Sequence, residues 1–198
     1  RILHGEMAPG EHVTLRGVAG DLGVSMTPAR EAVRRLAAEG ALAISASGRV
    51  SAPILSPARV EELASIRALL EPELAARALP RAHFSLIERL KRMDAEIDQH
   101  LKSGDAAAYV RGNLEFHRTL YLRAHAPAML ALAETVWLQT GPSMRALYAR
   151  IGMGRVADYH RKAIAALAAG DEAGLRLAIR ADVRQGLTML SNEGLDQA

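Results

Sequence analysis

Residues 22–40 read Leu-Gly-Val-Ser-Met-Thr-Pro-Ala-Arg-Glu-Ala-Val-Arg-Arg-Leu-Ala-Ala-Glu-Gly, and the order of signals in this stretch decides the fold of the N-terminal part. Val13 to Leu22 reads as a short helix that Gly23 stops. Thr27-Pro28 then reads as an N-cap followed by a first-turn proline, opening a second helix that runs to Gly40. At about 100° per residue, Ala29, Ala32, Val33 and Leu36 share one side of this helix, and Thr27, Arg30 and Arg34 share the other. One side packs and the other offers cations. Further on, Leu42-Ala-Ile44 and Val50-Ser-Ala52 flank Ser47-Gly48-Arg49, the pattern of two short strands joined by a glycine turn. Two short helices at a tight turn, followed by a β-wing, are the parts of a domain that places a helix in the major groove of DNA. The wing adds Arg49 on a flexible backbone, suited to phosphate or the minor groove. An arginine-bearing helix face taken singly is ordinarily a solvated surface, so the ordered combination carries the reading.

Bulk properties bound the remainder. The 198 residues are 49% hydrophobic and 24% charged, enough for a packed core under a charged surface, and their number fits two domains of unequal size. No apolar run approaches the roughly 18 residues of a membrane span, and no leader pattern opens the chain, so no membrane partner and a cytoplasmic location are expected. With no cysteine, any metal must be held by His, Asp, Glu or Asn, and a thiolate nucleophile is excluded. The net charge of +3 is too mild to announce a nucleic-acid partner by itself.

Beyond the connector marked by Pro53 and Pro57 the pattern is helical, with helices predicted at 56–79, 83–103, 105–125, 127–150, 154–169 and 171–190. The expected fold class is therefore mainly α: an N-terminal winged helix-turn-helix and a C-terminal all-α bundle of about six helices. Several ionisable residues fall on the apolar faces of that bundle. Asn113 and His117 lie four apart with Val110 and Leu120, His160 shares a face with Ala163, Ile164 and Leu167, and Asp182 lies with Leu175 and Ala178. A buried charge needs a counter-charge, a hydrogen bond or a metal. A single inward His is ordinarily a hydrogen-bonded core residue, and Asp182 has an arginine such as Arg67 available as a partner. Three helices converging in this way make a metal site as reasonable as the bland reading.

Two resemblances sharpen both sites. Gly5 to Glu11, Leu22-Gly-Val-Ser25, Thr27-Pro-Ala-Arg30-Glu-Ala-Val-Arg34-Arg35-Leu36, Glu39-Gly40 and Gly48-Arg49 resemble the GntR family over residues 2–52. That resemblance implies contacts with a double-stranded DNA operator at Arg16, Ser25, Thr27, Arg30, Gly48 and Arg49. It also implies a full helix ahead of Ile2, so the first helix is expected to be truncated in this chain. Met26 stands where the family commonly carries Arg, which unsettles the operator sequence. Residues 58–190, through Ile66-Arg67-Ala-Leu-Leu-Glu71, Asn113-Leu-Glu-Phe-His117-Arg118 and His160-Arg-Lys-Ala-Ile164, resemble the FCD effector domain of the FadR-type branch. That resemblance implies a divalent metal on Asn113, His117, His160 and Asp182, with Asp182 in place of the family's third His. Zinc comes first among the candidates, and nickel, manganese or iron also suit the set. It implies a small carboxylate effector beside Arg67, whose alternative is an ion pair with Glu71 or Asp182. A second departure is Ala126, where such domains often have Asn.

The expected organisation is residues 1–53 as DNA-binding domain, 54–57 as connector, 58–190 as effector-binding and dimerisation domain, and 191–198 as tail. The expected function is an effector-controlled homodimeric regulator of transcription, a repressor in sense, and not an enzyme. The enzyme alternative is a metal-dependent hydrolase, against which stand the absence of H-E-x-x-H, of a phosphate loop and of a spare acid placed as a base. The third reading is an architectural DNA-binding dimer with no effector.

Overall fold

Thr14 converts the chain from strand to helix. Its extended backbone (φ −107, ψ 143) and a hydroxyl accepting the Gly17 N–H at 3.0 Å cap α1 (Leu15–Leu22). Val13, expected at the start of that helix, instead pairs in a short strand, β1 (His12–Val13), as a β-branched residue readily does. The computed structural model describes residues 1–151 and 158–195, with side chains described for 1–148 and 158–186. The second helix, α2 (Met26–Ala38), begins just ahead of Thr27, with extended Ser25 rather than Thr27 at its cap. Pro28 thus falls third in the helix, where its missing N–H has no intrahelical acceptor to lose. Ala29 and Val33 are buried and Leu36 is half-buried, whereas Ala32, expected to point inward, is exposed. The packing stripe of α2 is narrower than its apolar pattern.

The wing consists of β2 (Ala43–Ile44) and β3 (Val50–Ser51), and β1 joins it to make an antiparallel sheet in the order β1-β3-β2, with Val50 opposite both Val13 and Ile44. The turn closes through Gly48 N–H to Ser45 O at 2.8 Å, with Gly48 at φ +78, a left-handed conformation that suits glycine. Ile2, Met7, Val33, Ala41, Leu42 and Ala52 form a small core beneath these elements.

Six helices follow: α3 (Pro57–Ala78), α4 (Phe84–Ser103), α5 (Ala106–Tyr121), α6 (Pro127–Ile151), α7 (Tyr159–Ala169) and α8 (Glu172–Leu195). Ser56, Asp105 and Asp158 cap α3, α5 and α7 by accepting the N–H groups of Arg59, Ala108 and Arg161. The α5 pattern was expected to run to 125, but the helix gives way to a 3₁₀ turn at Leu122–Ala124, and His125 takes a positive φ of 50°. The α8 backbone continues to Leu195, through most of the expected tail, while the expected start of α7 at 154–157 lies outside the described residues. Helix α3 packs along α8, α4 against α5, and α7 against both α4 and α8, around a core that includes Phe116, Leu120, Tyr121, Trp137, Leu175 and Ile179. No helix among the described residues is long and apolar enough to cross a membrane.

Helix α6 also touches the winged domain. Leu138 packs on the small N-terminal core, Gln139 Nε2 donates to the Glu39 carbonyl at 3.0 Å, and Arg145 Nη1 donates to the Gly5 carbonyl at 2.9 Å. Between them Gly141 lies so near the backbone that a Cβ there would sit 2.4 Å from the Ile2 carbonyl oxygen.

Candidate nucleic-acid interface and candidate metal centre

The winged domain gathers its cations on one side. Arg16 of α1, Arg30 and Arg34 of α2, and Arg49 of the wing border one shallow concavity with Met26 and Gly48. All four arginines are exposed, and among the described residues none forms an ion pair with an acid of this chain. Their neighbour Arg35, by contrast, is engaged by Glu39 at 2.9 Å. Unpaired guanidinium groups in one concave face can fork onto phosphate or guanine without first breaking an internal pair. Ser25 and Thr27 are exposed at the N-terminal end of α2, beside this concavity rather than lining it. Of the expected contacts, Arg16, Arg30, Gly48 and Arg49 are thus brought together, and Arg34 joins them.

In the bundle, His117 of α5, His160 of α7 and Asp182 of α8 converge, with one ligand-type atom from each lying within 4.8 Å of the others. His117 is fully buried, and its Nε2 lies 2.9 Å from Asp182 Oδ2. His160 Nε2 lies 3.8 Å from Asp182 Oδ1 and has no hydrogen-bond partner, though it is buried. Donors about 2.0–2.2 Å from a tetrahedral ion stand roughly 3.3 Å apart, so these separations suit such an ion with small adjustments.

The proton positions follow from what lies behind the rings. Glu71 pairs with Arg67 (Nε to Oε1 2.5 Å) and also accepts from Trp137 Nε1 at 2.9 Å and from the Tyr121 hydroxyl at 3.0 Å. Burial opposes its charge, but Arg67 outweighs burial and holds the Glu71 carboxyl below its ordinary value, so Glu71 is an acceptor only. Burial and the nearby Glu71 push the Tyr121 phenol well up, so it keeps its proton and gives it to Glu71. Its oxygen is left to accept from His117 Nδ1, 3.0 Å away. On the other side Asp94 Oδ1 lies 3.2 Å from His160 Nδ1 and accepts its proton. Both rings therefore carry Nδ1–H and turn Nε2 toward Asp182, whose carboxylate cannot donate. A positive charge is required there, as a proton or as a metal ion. In keeping with this, burial lowers the His160 pKa but Asp182 and Asp94 more than reverse that and raise it. Burial likewise works against ionised Asp182, yet the two histidines bring its pKa down to about 2.

Asn113, one turn before His117 on α5, is half-buried and shares a cavity of about 20 Å³ with Arg67, Trp137, Thr140, Met144 and Tyr148. Arg67 is 5% exposed and is paired with Glu71, so the ion-pair alternative holds for its Nε edge while the residue also faces this cavity. Asp182 pairs with the histidines rather than with Arg67. Sequence reasoning missed Tyr121, Trp137 and Asp94. Two left a trace: Tyr121 is one turn beyond His117, and Asp94 is an acid on the buried stripe of Leu86, Leu90 and Ile97.

A winged helix with a cation-lined face, joined to a helical bundle with a buried polar centre, defines a DNA-binding transcription regulator. Residues 1–50 match the model of the gntR family of bacterial regulatory proteins, and residues 62–185 match the FCD domain. The chain belongs to the GntR family, in its FadR-type branch with an FCD domain. It is similar to the HTH-type transcriptional regulator McbR of Escherichia coli (strain K12), 26% identical over 189 residues that cover 94% of this chain and 86% of that protein. It is also similar to the "Probable D-xylose utilization operon transcriptional repressor" of Paenarthrobacter nicotinovorans, 27% identical over 199 residues, covering 100% and 88% of the two chains. The solved structure of E. coli McbR/YncC superposes with a TM-score of 0.88 at 25% identity, covering 97% of this chain and 92% of that one. A GntR family member from Pseudomonas syringae pv. tomato shares the fold at a TM-score of 0.64 and 20% identity, covering 99% and 82%. These relatives are regulators of transcription, not enzymes.

Proposed function

We propose that this chain is a repressor that binds an operator as a homodimer through Arg16, Ser25, Thr27, Arg30, Gly48 and Arg49. In this reading residues 1–53 are the DNA-binding unit and 58–190 the effector-binding and dimerisation unit. The bundle holds a divalent cation, zinc foremost, on His117, His160 and Asp182 with Asn113 beside them, and a small organic acid next to Arg67. One observation carries the metal reading: two buried imidazoles turn Nε2 toward one carboxylate, and the Nε2 of His160 has no hydrogen-bond partner. A bound divalent ion would supply a Lewis-acidic seat for an acid's oxygen. Arg67, anchored on one edge by Glu71, keeps its remaining N–H groups for the same ligand. The repressor sense is supported by the relative named as a repressor.

Helix α6 is the route between the sites. Trp137, Thr140 and Met144 line the Arg67 cavity, while Leu138, Gln139 and Arg145 hold the winged domain. A ligand that widens the cavity displaces α6 and with it the winged domain, changing the fit of two domains to two half-sites. The test has two parts. Protein purified without chelators is expected to carry near-stoichiometric metal by elemental analysis, lost in His117→Ala; no metal in either protein sinks the metal reading. A labelled duplex from the region upstream of its gene is expected to bind with steep salt dependence, and metal and acid together are expected to change that affinity. Unchanged affinity would favour an architectural dimer.

A further inference from the structure

We propose that Tyr121 and Asp94 are the positioning residues of the cation site, each holding one histidine with its Nδ1 proton turned away so that Nε2 alone faces Asp182. The inference rests on the metal reading above, and it concerns residues outside the ligand set. Imidazole has two nitrogens, and in the neutral ring the one that keeps the proton cannot ligate. A site that needs the same nitrogen from two rings must offer an acceptor to the other nitrogen of each. Both acceptors are present, and each is held from behind.

On α5 the acceptor is the Tyr121 oxygen, 3.0 Å from His117 Nδ1. It accepts because its single proton is committed to Glu71, and Glu71 is committed by Arg67 and Trp137. Three helices, α3, α5 and α6, thus combine to fix one ring. On α4 the acceptor is Asp94, 3.2 Å from His160 Nδ1, with its second oxygen 3.6 Å from Arg161 Nε. Arg161 is in turn engaged by Asp98 and Asp158. The plane of the His160 ring is set separately: Phe116 stacks on it at 4.0 Å with 16° between the rings. Stacking is equally satisfied after a half-turn of the ring about its Cβ–Cγ bond, and the hydrogen bond from Nδ1 to Asp94 selects one of the two orientations. A carboxylate placed on the apolar stripe of Leu86, Leu90 and Ile97 is costly to bury, and steering His160 gives it a role that general packing does not. The two arms differ in strength. A carboxylate accepts more strongly than a phenol oxygen, so His160 is the better-fixed ligand of the two.

The experiment uses the full chain and zinc alone, with affinity read by chelator competition and the histidine ring protons read by NMR of the zinc-loaded, 15N-histidine-labelled protein. Wild type is expected to show slowly exchanging Nδ1 protons on His117 and His160, with zinc on Nε2 of each. Tyr121→Phe removes the acceptor of one ring and is expected to weaken zinc binding by about 10- to 100-fold, with loss of the protected His117 ring proton alone. Asp94→Ala is expected to do the same at His160, and Asp94→Asn, which keeps an acceptor oxygen, is expected to lose less than Asp94→Ala. Because each variant should move only its own histidine's signal, a general loss of packing is distinguished from positioning. Should Asp94→Ala fail to fold, Tyr121→Phe and Asp94→Asn still decide the matter. Zinc binding in both Tyr121→Phe and Asp94→Asn equal to wild type, with both ring protons retained in Tyr121→Phe, overturns the inference while leaving the metal reading intact; zinc on Nδ1 overturns it as well. A wild-type protein that binds no zinc overturns the metal reading, and this inference with it.

Discussion

Gln139 Nε2 donates to the backbone carbonyl of Glu39 at 3.0 Å, joining α6, the helix that lines the Arg67 cavity, to the C-terminal cap of α2 across 100 residues of sequence. The same side chain accepts from Arg59 Nη2 at 2.9 Å, so both ends of its amide are engaged. Gln139→Ala removes both hydrogen bonds and is expected to destabilise the chain by about 2 kcal/mol, roughly 1 kcal/mol for each, and to leave zinc affinity unchanged. It is further expected to shrink the response of DNA affinity to metal and acid. Fluorescence anisotropy of an operator duplex with and without both ligands measures this, and an undiminished response would place the coupling elsewhere.

Gly141 tests the same seam by crowding. A Cβ there would lie 2.4 Å from Ile2 O and 2.9 Å from Leu3 O, both backbone atoms that cannot rotate away. Gly141→Ala is expected to cost about 1–3 kcal/mol in urea unfolding, the usual range for overpacking. If the N-terminal segment moves off instead, limited proteolysis near Leu3 is expected to speed up. A variant with wild-type stability and wild-type cleavage would mean that the seam is looser than its geometry.

The sequence made much of the fold legible, because helix ends announce themselves locally. Ser56 and Asp105 are capping residues, and the breaks at Gly104 and Gly170 fall between helices, whereas Asp158, the cap of α7, falls inside the helix expected at 154–169. Helix α2 starts ahead of the expected Thr27 cap: Ser25 and Thr27 are both capping types, and the extended residue at the cap is Ser25, whose side chain makes no capping hydrogen bond. His117, His160 and Asp182 were legible as polar residues on apolar faces. Their supports were not. That Tyr121 and Trp137 both aim at Glu71 depends on the relative rotation of α3, α5 and α6, which periodicity within one helix does not contain. The two-sided role of α6 is invisible for the same reason.

On the DNA face, paired and unpaired arginines predict different behaviour. Arg30 and Arg49 have no acid partner among the described residues, whereas Arg35, next to Arg34 on the same helix, is held by Glu39. Arg30→Ala and Arg49→Ala are each expected to weaken operator binding. Where the lost contact is to phosphate, the slope of log affinity against log salt is expected to flatten by about 1. Where it is to a base, about 1–3 kcal/mol of discrimination at one position is expected to be lost. Arg35→Ala is the control and should change neither. Equal effects from all three would reduce the face to a diffuse positive charge.

The Arg67–Glu71 pair predicts a pH signature. Glu71 is fully buried, and Arg67 holds its carboxyl below the ordinary value against the opposing effect of burial. A carboxyl whose folded pKa is depressed adds stability that is present above its unfolded pKa of about 4.3 and is lost as pH falls through the folded pKa. Glu71→Gln removes the titration and leaves Arg67 buried without a counter-charge, which is expected to cost about 3–5 kcal/mol at pH 7. As pH falls below the ordinary carboxylate range, wild type loses its advantage and the two unfolding curves should converge. Urea unfolding of both proteins across pH 3–7 measures the gap. A gap that stays constant over that range would show that the loss in the variant comes from packing or from the Tyr121 and Trp137 hydrogen bonds, not from the charge.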